Sequence, residues 1–457
     1  MVTATRYMER DIESQLLVWR ESGFRKPLIV RGARQVGKTR ALKEFGARYY
    51  TNVAYFSLEK LNEDTPSEFA QFFETTKDPH RIVKNLSVAG NVRIVPQDTL
   101  VIFDEIQDCP AALGSLKYFC DEAPEYHIAC AGSLLGVALA SDGAFPVGKV
   151  TFIDMAPMNF SEYLLAVGED ALDSYCNDLD TLAPIPDMFN ARLLELLQIY
   201  FVLGGMPEIV ATWAATGDIE QADKSLSDLV GSYERDFAKH GGHRMYPKIS
   251  RTWASLPSQL AKENKKFMYG LVRKGARARE YEDAIVWLEN AGLLKRVTRS
   301  SKPGIPMSAY DDVEAFKLYC LDVGVLRKHS GMHPSAFMAS DKLFVEFKGA
   351  FAENYLLQAL MPQIDTTPRY WTNEKPPHEI DFLIQVDDRV VPIEVKSGSV
   401  VKSTSLRYYA RKHTEQTPLR VRFSLLNLSL DNDVLNIPIY LAHQAVRLIK
   451  LALDRVV

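Results

Sequence analysis

Apolar and polar positions along the chain switch between two periods, and the switches mark out its elements. Residues 6–22 keep Met8, Ile12, Leu16 and Trp19 on one side of a 3.6-residue turn, which predicts an amphipathic helix packed on a sheet. Apolar runs at 27–30, 99–103 and 127–131, with a further strand at 52–58, alternate with helical stretches at 39–47 and 67–85. From 164 to 240 the period is helical, with Leu193, Leu194, Leu196 and Leu197 in one strongly apolar turn. Residues 250–297 read as helix (251–263), a turn around Asn264, a short helical stretch (270–274), helix (280–290) and strand (292–297). Residues 300–306, with Ser301, Lys302, Pro303, Gly304 and Pro306, are the best linker candidate. A strand at 316–322, a helix at 347–360 and a hairpin at 379–396 follow.

At 457 residues the chain exceeds the usual size of one core, so several domains are expected. Hydrophobic residues at 47% and charged residues at 25% give a globular profile and exclude a disordered chain. No apolar run reaches membrane-helix length, and the first twenty residues carry both charge signs without the apolar core of a signal peptide; a cytoplasmic protein without membrane contact is expected. Cys109, Cys120, Cys130, Cys176 and Cys320 form no C-x-x-C pair, which argues against a zinc site or a disulfide framework. The net charge of −4 means that a polyanionic partner must be met by a local patch.

The chemistry concentrates in a few places. The apolar run at 27–30 meets Gly32-Ala33-Arg34-Gln35-Val36-Gly37-Lys38-Thr39, a complete G-x-x-x-x-G-K-T, followed by Arg40 and good helix formers. Such a loop turns backbone N–H groups toward phosphates; Lys38 reaches the β- and γ-phosphates and Thr39 holds Mg²⁺. The strand at 99–103 ends in Asp104-Glu105, where the first carboxylate belongs near Mg²⁺ and the second polarises the attacking water. The strand at 127–131 ends at Gly132-Ser133; Ser133 reads either as a sensor of the γ-phosphate or water, or as the cap of a helix over 134–140.

These motifs resemble those of the AAA-type P-loop ATPases. The wording R-G-A-R-Q-V-G-K-T, the stretch Ala156-Pro157-Met158-Asn159-Phe160-Ser161-Glu162-Tyr163 and Gly204-Gly205-Met206-Pro207-Glu208 resemble, more narrowly, one bacterial and archaeal family that joins this ATPase to a C-terminal restriction-endonuclease-like domain. The resemblance implies an α/β protein with a P-loop NTPase parallel-sheet core (1–163), a helical lid (164–245), a winged-helix module (246–300) and a restriction-endonuclease-like α/β domain (307–457). ATP and Mg²⁺ are the expected cofactors, DNA an expected partner, and a homo-oligomer is left open.

Two basic features bear on that reading. Arg235, in the lid, is either a finger that neutralises the transferring phosphoryl group or a surface ion-pair partner of its acidic neighbours. Residues 262–302 hold eleven Lys or Arg against five Asp or Glu, a local charge of +6. Helix, turn, helix and strand is the order of a winged helix, which would place Arg273, Lys274, Arg277 and Arg279 against phosphates, or serve only to pack.

The C-terminal region carries a second candidate site. Asp381 and Glu394-Val395-Lys396 look like the PD-(D/E)xK nuclease signature, with Ile380 where its proline would stand and Glu353 matching the glutamate often found on an upstream helix. A symmetric turn at Asp387-Asp388 pairs Val386 with Arg389, Ile384 with Val391 and Phe382 with Ile393, which brings Asp381 opposite Glu394. Facing carboxylates repel unless a positive charge sits between them. Mg²⁺ or Mn²⁺ held by Glu353, Asp381 and Glu394, with Lys396 orienting water, is one reading; a solvated face neutralised by Lys396 is the other.

Overall fold

The computed structural model describes residues 8–62, 65–133, 136, 147–261, 266–338, 348–396 and 403–456. Contacts divide the chain into two units, Met1–Ala156 with Asn290–Leu293, and Pro157–Glu289 with Leu294–Val457.

The first unit is built on five parallel strands, β1 (Leu28–Arg31), β2 (Asn52–Ser57), β3 (Thr99–Asp104), β4 (His127–Ala131) and β5 (Thr151–Asp154), in the order β2-β3-β4-β1-β5. Every residue of β3 and β4 is buried, as expected of strands covered on both faces. The covering helices are α1 (Ile12–Glu21), α2 (Lys38–Tyr49), α3 (Gln71–Glu74), α4 (Pro79–Ala89) and α5 (Pro110–Glu122). The first helix buries Ile12, Leu16 and Trp19 of the stripe read from the sequence, while Met8 precedes the helix and is half-buried. α2 comes so close to the sheet at Gly46 that a Cβ there would stand 2.6 Å from Val53 and 3.1 Å from Leu100. With both faces occupied, the C-terminal strand ends are where polar side chains gather.

In the second unit the helices Phe160–Ala166, Asp170–Asn177, Asp187–Leu203, Pro207–Thr216 and Ile219–Leu260 follow one another. The stretch from Ala156 to Tyr163 starts the first of them with a reciprocal cap, in which the Asn159 side chain accepts from Glu162 N at 2.9 Å and the Glu162 carboxylate accepts from Asn159 N at 2.8 Å. The glycine pair meets it: Met158 N donates to Gly205 O at 2.6 Å, and Gly205 N donates to the buried Asp322 carboxylate at 2.6 Å. Two motifs far apart in sequence thus interlock through backbone.

An eight-stranded mixed sheet completes this unit, in the order β12-β13-β11-β10-β9-β8-β6-β7. Its members are β6 (Leu294–Ser300), β7 (Asp311–Cys320), β8 (Arg369–Asn373), β9 (His378–Val386), β10 (Arg389–Val395), β11 (Arg420–Ser424), β12 (Ser429–Asp431) and β13 (Val434–Pro438). Here the domain boundaries differ from those expected. β6, read as the wing of a separate module, pairs antiparallel with β7 and parallel with β8. Residues 300–306 are therefore part of a connection between two neighbouring strands, tied by Ser301 N donating to Tyr310 O at 2.9 Å, and not an interdomain linker. Pro and Gly mark a chain reversal equally well in either setting. The expected boundary at 245 falls inside the helix Ile219–Leu260, which breaks at Gly242 (φ 60°, ψ 168°). The turn around Asn264 and the helix proposed for 134–140 lie outside the described residues, apart from Gly136.

A Cβ at Gly205 would stand 2.0 Å from Met158 O and 2.7 Å from the Tyr200 hydroxyl, so alanine must displace backbone. Gly205→Ala is expected to destabilise the second unit by roughly 3 kcal/mol, read as a lowered urea midpoint. Gly270→Ala, where a Cβ meets nothing within 4 Å, leaves the midpoint in place.

Candidate functional site

The loop between β1 and α2 takes backbone conformations that its glycines permit. Gly32 has φ 147° and passes so close to the end of β5 that a Cβ would lie 2.3 Å from Met155 O. Gln35 and Gly37 are left-handed, at φ 65° and 99°, and α2 begins at Lys38. Arg10, just before α1, braces the loop: its guanidinium donates to Val36 O at 2.8 Å and to Ala156 O, past the end of β5, at 2.6 Å. Lys38 is 7% exposed and donates to the carbonyls of Gly32 and Ala33 at 2.9 and 2.8 Å. Burial pushes its ammonium down to about 8, against the opposing pull of Glu105 and Asp104. Arg34 is half-buried and Arg40 exposed.

Three strand ends converge on this loop. At the end of β3, Asp104 accepts from the Thr39 hydroxyl at 2.9 and 3.0 Å and from the Tyr55 hydroxyl on β2 at 2.9 Å. Burial and then the bond to Asp104 push the Tyr55 phenol up to about 12, so it stays a donor. The hydroxyl and carboxylate of Thr39 and Asp104 are adjacent hard oxygen donors, a pairing that suits Mg²⁺. Glu105 has φ 49°, a conformation costly for a side chain with a Cβ, and it turns its carboxylate toward β4. There it accepts from Ser133 Oγ at 2.6 Å, from Ser133 N at 3.2 Å and from Gln107 Nε2 at 2.6 Å. Burial alone would raise the Glu105 pKa; the donors from Gln107 and Ser133, together with the charge of Lys38, outweigh it and hold the carboxyl below its ordinary value.

The remaining predicted site residues belong to the second unit. Arg235 is exposed on the helix Ile219–Leu260. Arg273, Lys274, Arg277 and Arg279 are all exposed, on the turn that leads into the helix Ala278–Asn290 and on its first residues.

The hairpin β9–β10 has the register read from the sequence, with Val386 against Arg389, Ile384 against Val391 and Phe382 against Ile393. Past that pair the Asp381 carboxylate takes over the ladder's role, accepting from Val395 N at 2.8 Å. Two lysines, Lys317 and Lys396, pair with carboxylates here. Lys317, on β7 and wholly buried, pairs with Glu379, lies 3.8 Å from Glu353 and sits over the Tyr370 ring at 4.9 Å. Burial would lower its pKa, but Glu379, Glu353 and Asp381 together hold it above the ordinary value. Glu353 also accepts from the Tyr319 hydroxyl at 3.1 Å, and Lys396 lies 2.6 Å from the 2%-exposed Glu394. Among the described residues no group of three or more His, Cys, Asp or Glu is arranged to hold a metal ion. Glu394 is buried, which departs from a solvated face.

Arg10, Tyr55, Gln107 and Lys317 were not singled out by sequence reasoning. Lys317 had a signal, a lone cation in an apolar strand; Tyr55 and Gln107 gain meaning only from what they meet.

Residues 24–164 match the AAA domain family. Residues 194–336 match a domain of unknown function, DUF8612, which runs across 300–306, and residues 348–441 match another, DUF4143. No curated protein matches the chain. Among solved structures it is similar to the Walker-type ATPase of Pyrococcus abyssi, at 16% identity over 71% of this chain and 96% of that one, with a TM-score of 0.44. It is also similar to the ORC1 protein of Aeropyrum pernix in complex with DNA (14%, 74% and 95%, TM-score 0.25) and to Cdc6p from Pyrobaculum aerophilum (13%, 71% and 94%, TM-score 0.24). No described helix is long and apolar enough to cross a membrane.

Two outcomes follow from the buried lysines. A bound phosphate array favours the Lys38 ammonium, so nucleotide binding takes up a proton above about pH 8, and affinity falls as pH rises from there toward the ordinary lysine value of 10.5. Titration calorimetry in buffers of different ionisation enthalpy measures that proton, and Lys38→Met removes it together with binding. Lys317→Met leaves carboxylates buried without their cation; it is expected to cost roughly 3–5 kcal/mol at pH 7, a loss that shrinks in urea melts at lower pH as those carboxylates take up protons.

Proposed function

We propose that this P-loop ATPase domain binds Mg·ATP and hydrolyses it, and that the cycle drives a conformational switch or motor acting with DNA. One observation carries the hydrolytic reading: Lys38 and Thr39 at the start of α2, Asp104 and Glu105 at the end of β3 and Ser133 after β4 meet at neighbouring strand ends. The backbone N–H groups of the loop and the start of α2 would cradle the phosphates. Lys38, which now donates to two carbonyls of its own loop, would exchange them for phosphate oxygens. Mg²⁺ held by Thr39 and Asp104 would neutralise charge on the β- and γ-phosphates. Glu105 would take the proton of the attacking water, and Ser133 would hold Glu105 or sense the γ-phosphate. Arg235 is proposed as an arginine that, from the helical lid or a neighbouring subunit, would neutralise charge on the transferring phosphoryl group.

The DNA reading rests on the exposed cluster Arg273, Lys274, Arg277 and Arg279 at the head of a helix, in a segment of local charge +6. For the C-terminal sheet a specific observation favours a binding platform over a nuclease. Lys317 already supplies the positive charge that its carboxylates require, and Lys396 pairs with Glu394.

Phosphate release with and without duplex DNA tests this. The wild-type chain is expected to turn over ATP slowly and faster with DNA, while Glu105→Gln binds ATP and loses roughly 100-fold or more in turnover. Reversing Arg273 and Lys274 to Glu should leave basal turnover intact and abolish the DNA stimulation, which in the wild type declines steeply with salt. Wild-type turnover by Glu105→Gln defeats the assignment of the base; hydrolysis indifferent to DNA leaves a protein switch.

A further inference from the structure

Gln107 is a residue of the candidate site with one half of its amide used and the other half idle. Its Nε2 donates to Glu105 Oε2 at 2.6 Å, while its Oε1 is buried and has no hydrogen-bond partner among the described residues. The assignment of the two amide atoms is dictated by chemistry. An ionised carboxylate only accepts, so the NH₂ must face Glu105 and the carbonyl oxygen must be the atom left over. A buried amide oxygen without a donor costs on the order of 1–3 kcal/mol, a penalty that a chain removes by a conservative change unless the atom is used. The backbone invests here as well: Glu105 sits at φ 49°, and the single helical turn Ile106–Asp108 that follows it carries Gln107 back against the carboxylate.

We infer that Gln107 positions the attacking water of ATP hydrolysis jointly with Glu105, an inference that rests on the hydrolytic reading above. A water beside the pair donates one hydrogen to Glu105 and the other to Gln107 Oε1, which leaves a lone pair directed away from both. Water oxygen then attacks the γ-phosphorus and the bond from that phosphorus to the β,γ-bridging oxygen breaks. The water proton passes to Glu105, ADP leaves with the bridging oxygen, and inorganic phosphate is the second product. Gln107 exchanges no proton; it supplies an acceptor that fixes the water and a donor that fixes the base. Ser133 also donates to the same carboxylate, which keeps Glu105 in place when Gln107 is altered.

The test compares the full-length wild type with Gln107→Met and Gln107→Glu, measuring ATP affinity by calorimetry, melting temperature and turnover. Met keeps the length and loses both amide functions: ATP affinity is expected to stay within about twofold while kcat falls roughly 10- to 100-fold. Glu restores the acceptor but places a second carboxylate beside Glu105, so its turnover recovers only in part. Wild-type kcat in Gln107→Met overturns the inference while leaving the ATPase reading standing. Affinity, melting temperature and kcat falling together also overturn it, because that is the mark of a packing role. Wild-type chain that binds ATP and releases no phosphate overturns the hydrolytic reading itself.

Discussion

A parallel sheet buried on both faces leaves one place for polar chemistry, the ends of its strands, and the first unit is arranged around that constraint. β3 and β4 have no exposed residue, so the charge of Asp104 and the turn at Glu105 appear where the strand leaves the core. The loop after β1 reaches the same level because β1 lies beside β4. Close packing elsewhere serves this alignment: Gly32 passes against the end of β5, and Arg10 ties the loop carbonyl of Val36 to Ala156. A loop that must accept phosphates cannot donate to its own carbonyls at every position, and a guanidinium from outside holds its shape while its N–H groups keep their direction.

The two buried lysines show how one residue type is given opposite tasks. Lys38 is desolvated and reaches only carbonyl oxygens, so its ammonium is held down near 8, a cation short of negative charge. The shift from 10.5 corresponds to about 3 kcal/mol, which an anion arriving beside it recovers. Lys317 is more deeply buried and yet is pushed the other way, because Glu379, Glu353 and Asp381 surround it. One site is left unsatisfied and suited to a ligand; the other is neutralised from within. The carboxylates divide along the same line: Asp104 and Glu105 receive hydroxyl and amide donors, which orient a charge without cancelling it, whereas Glu379 receives an ammonium.

Much of this was legible in the letters. The G-x-x-x-x-G-K-T loop, the apolar run before Asp104-Glu105 and the alternation in 379–396 are local patterns, and local patterns follow from steric and periodic rules that act within a few residues. The hairpin register needed only a two-residue turn and a count outward; the pairs from Val386–Arg389 to Phe382–Ile393 came out as counted, and the ladder ends before Asp381 and Glu394. The stripe Ile12, Leu16 and Trp19 faced inward for the same reason.

What only the tertiary structure decided are the meetings between elements distant in sequence. That β6 joins an eight-stranded sheet instead of forming the wing of a small module depends on β8, some seventy residues away, and no local signal in 292–306 distinguishes the two. Tyr55 is an ordinary strand residue until β2 lies beside β3, and Gln107 an ordinary polar residue until Glu105 turns to φ 49°. Sequence reasoning weighed a metal or Lys396 as the cation among the C-terminal carboxylates and did not see Lys317. Lys317 arrives from β7, at the far edge of the sheet, and long-range pairing alone could place it there.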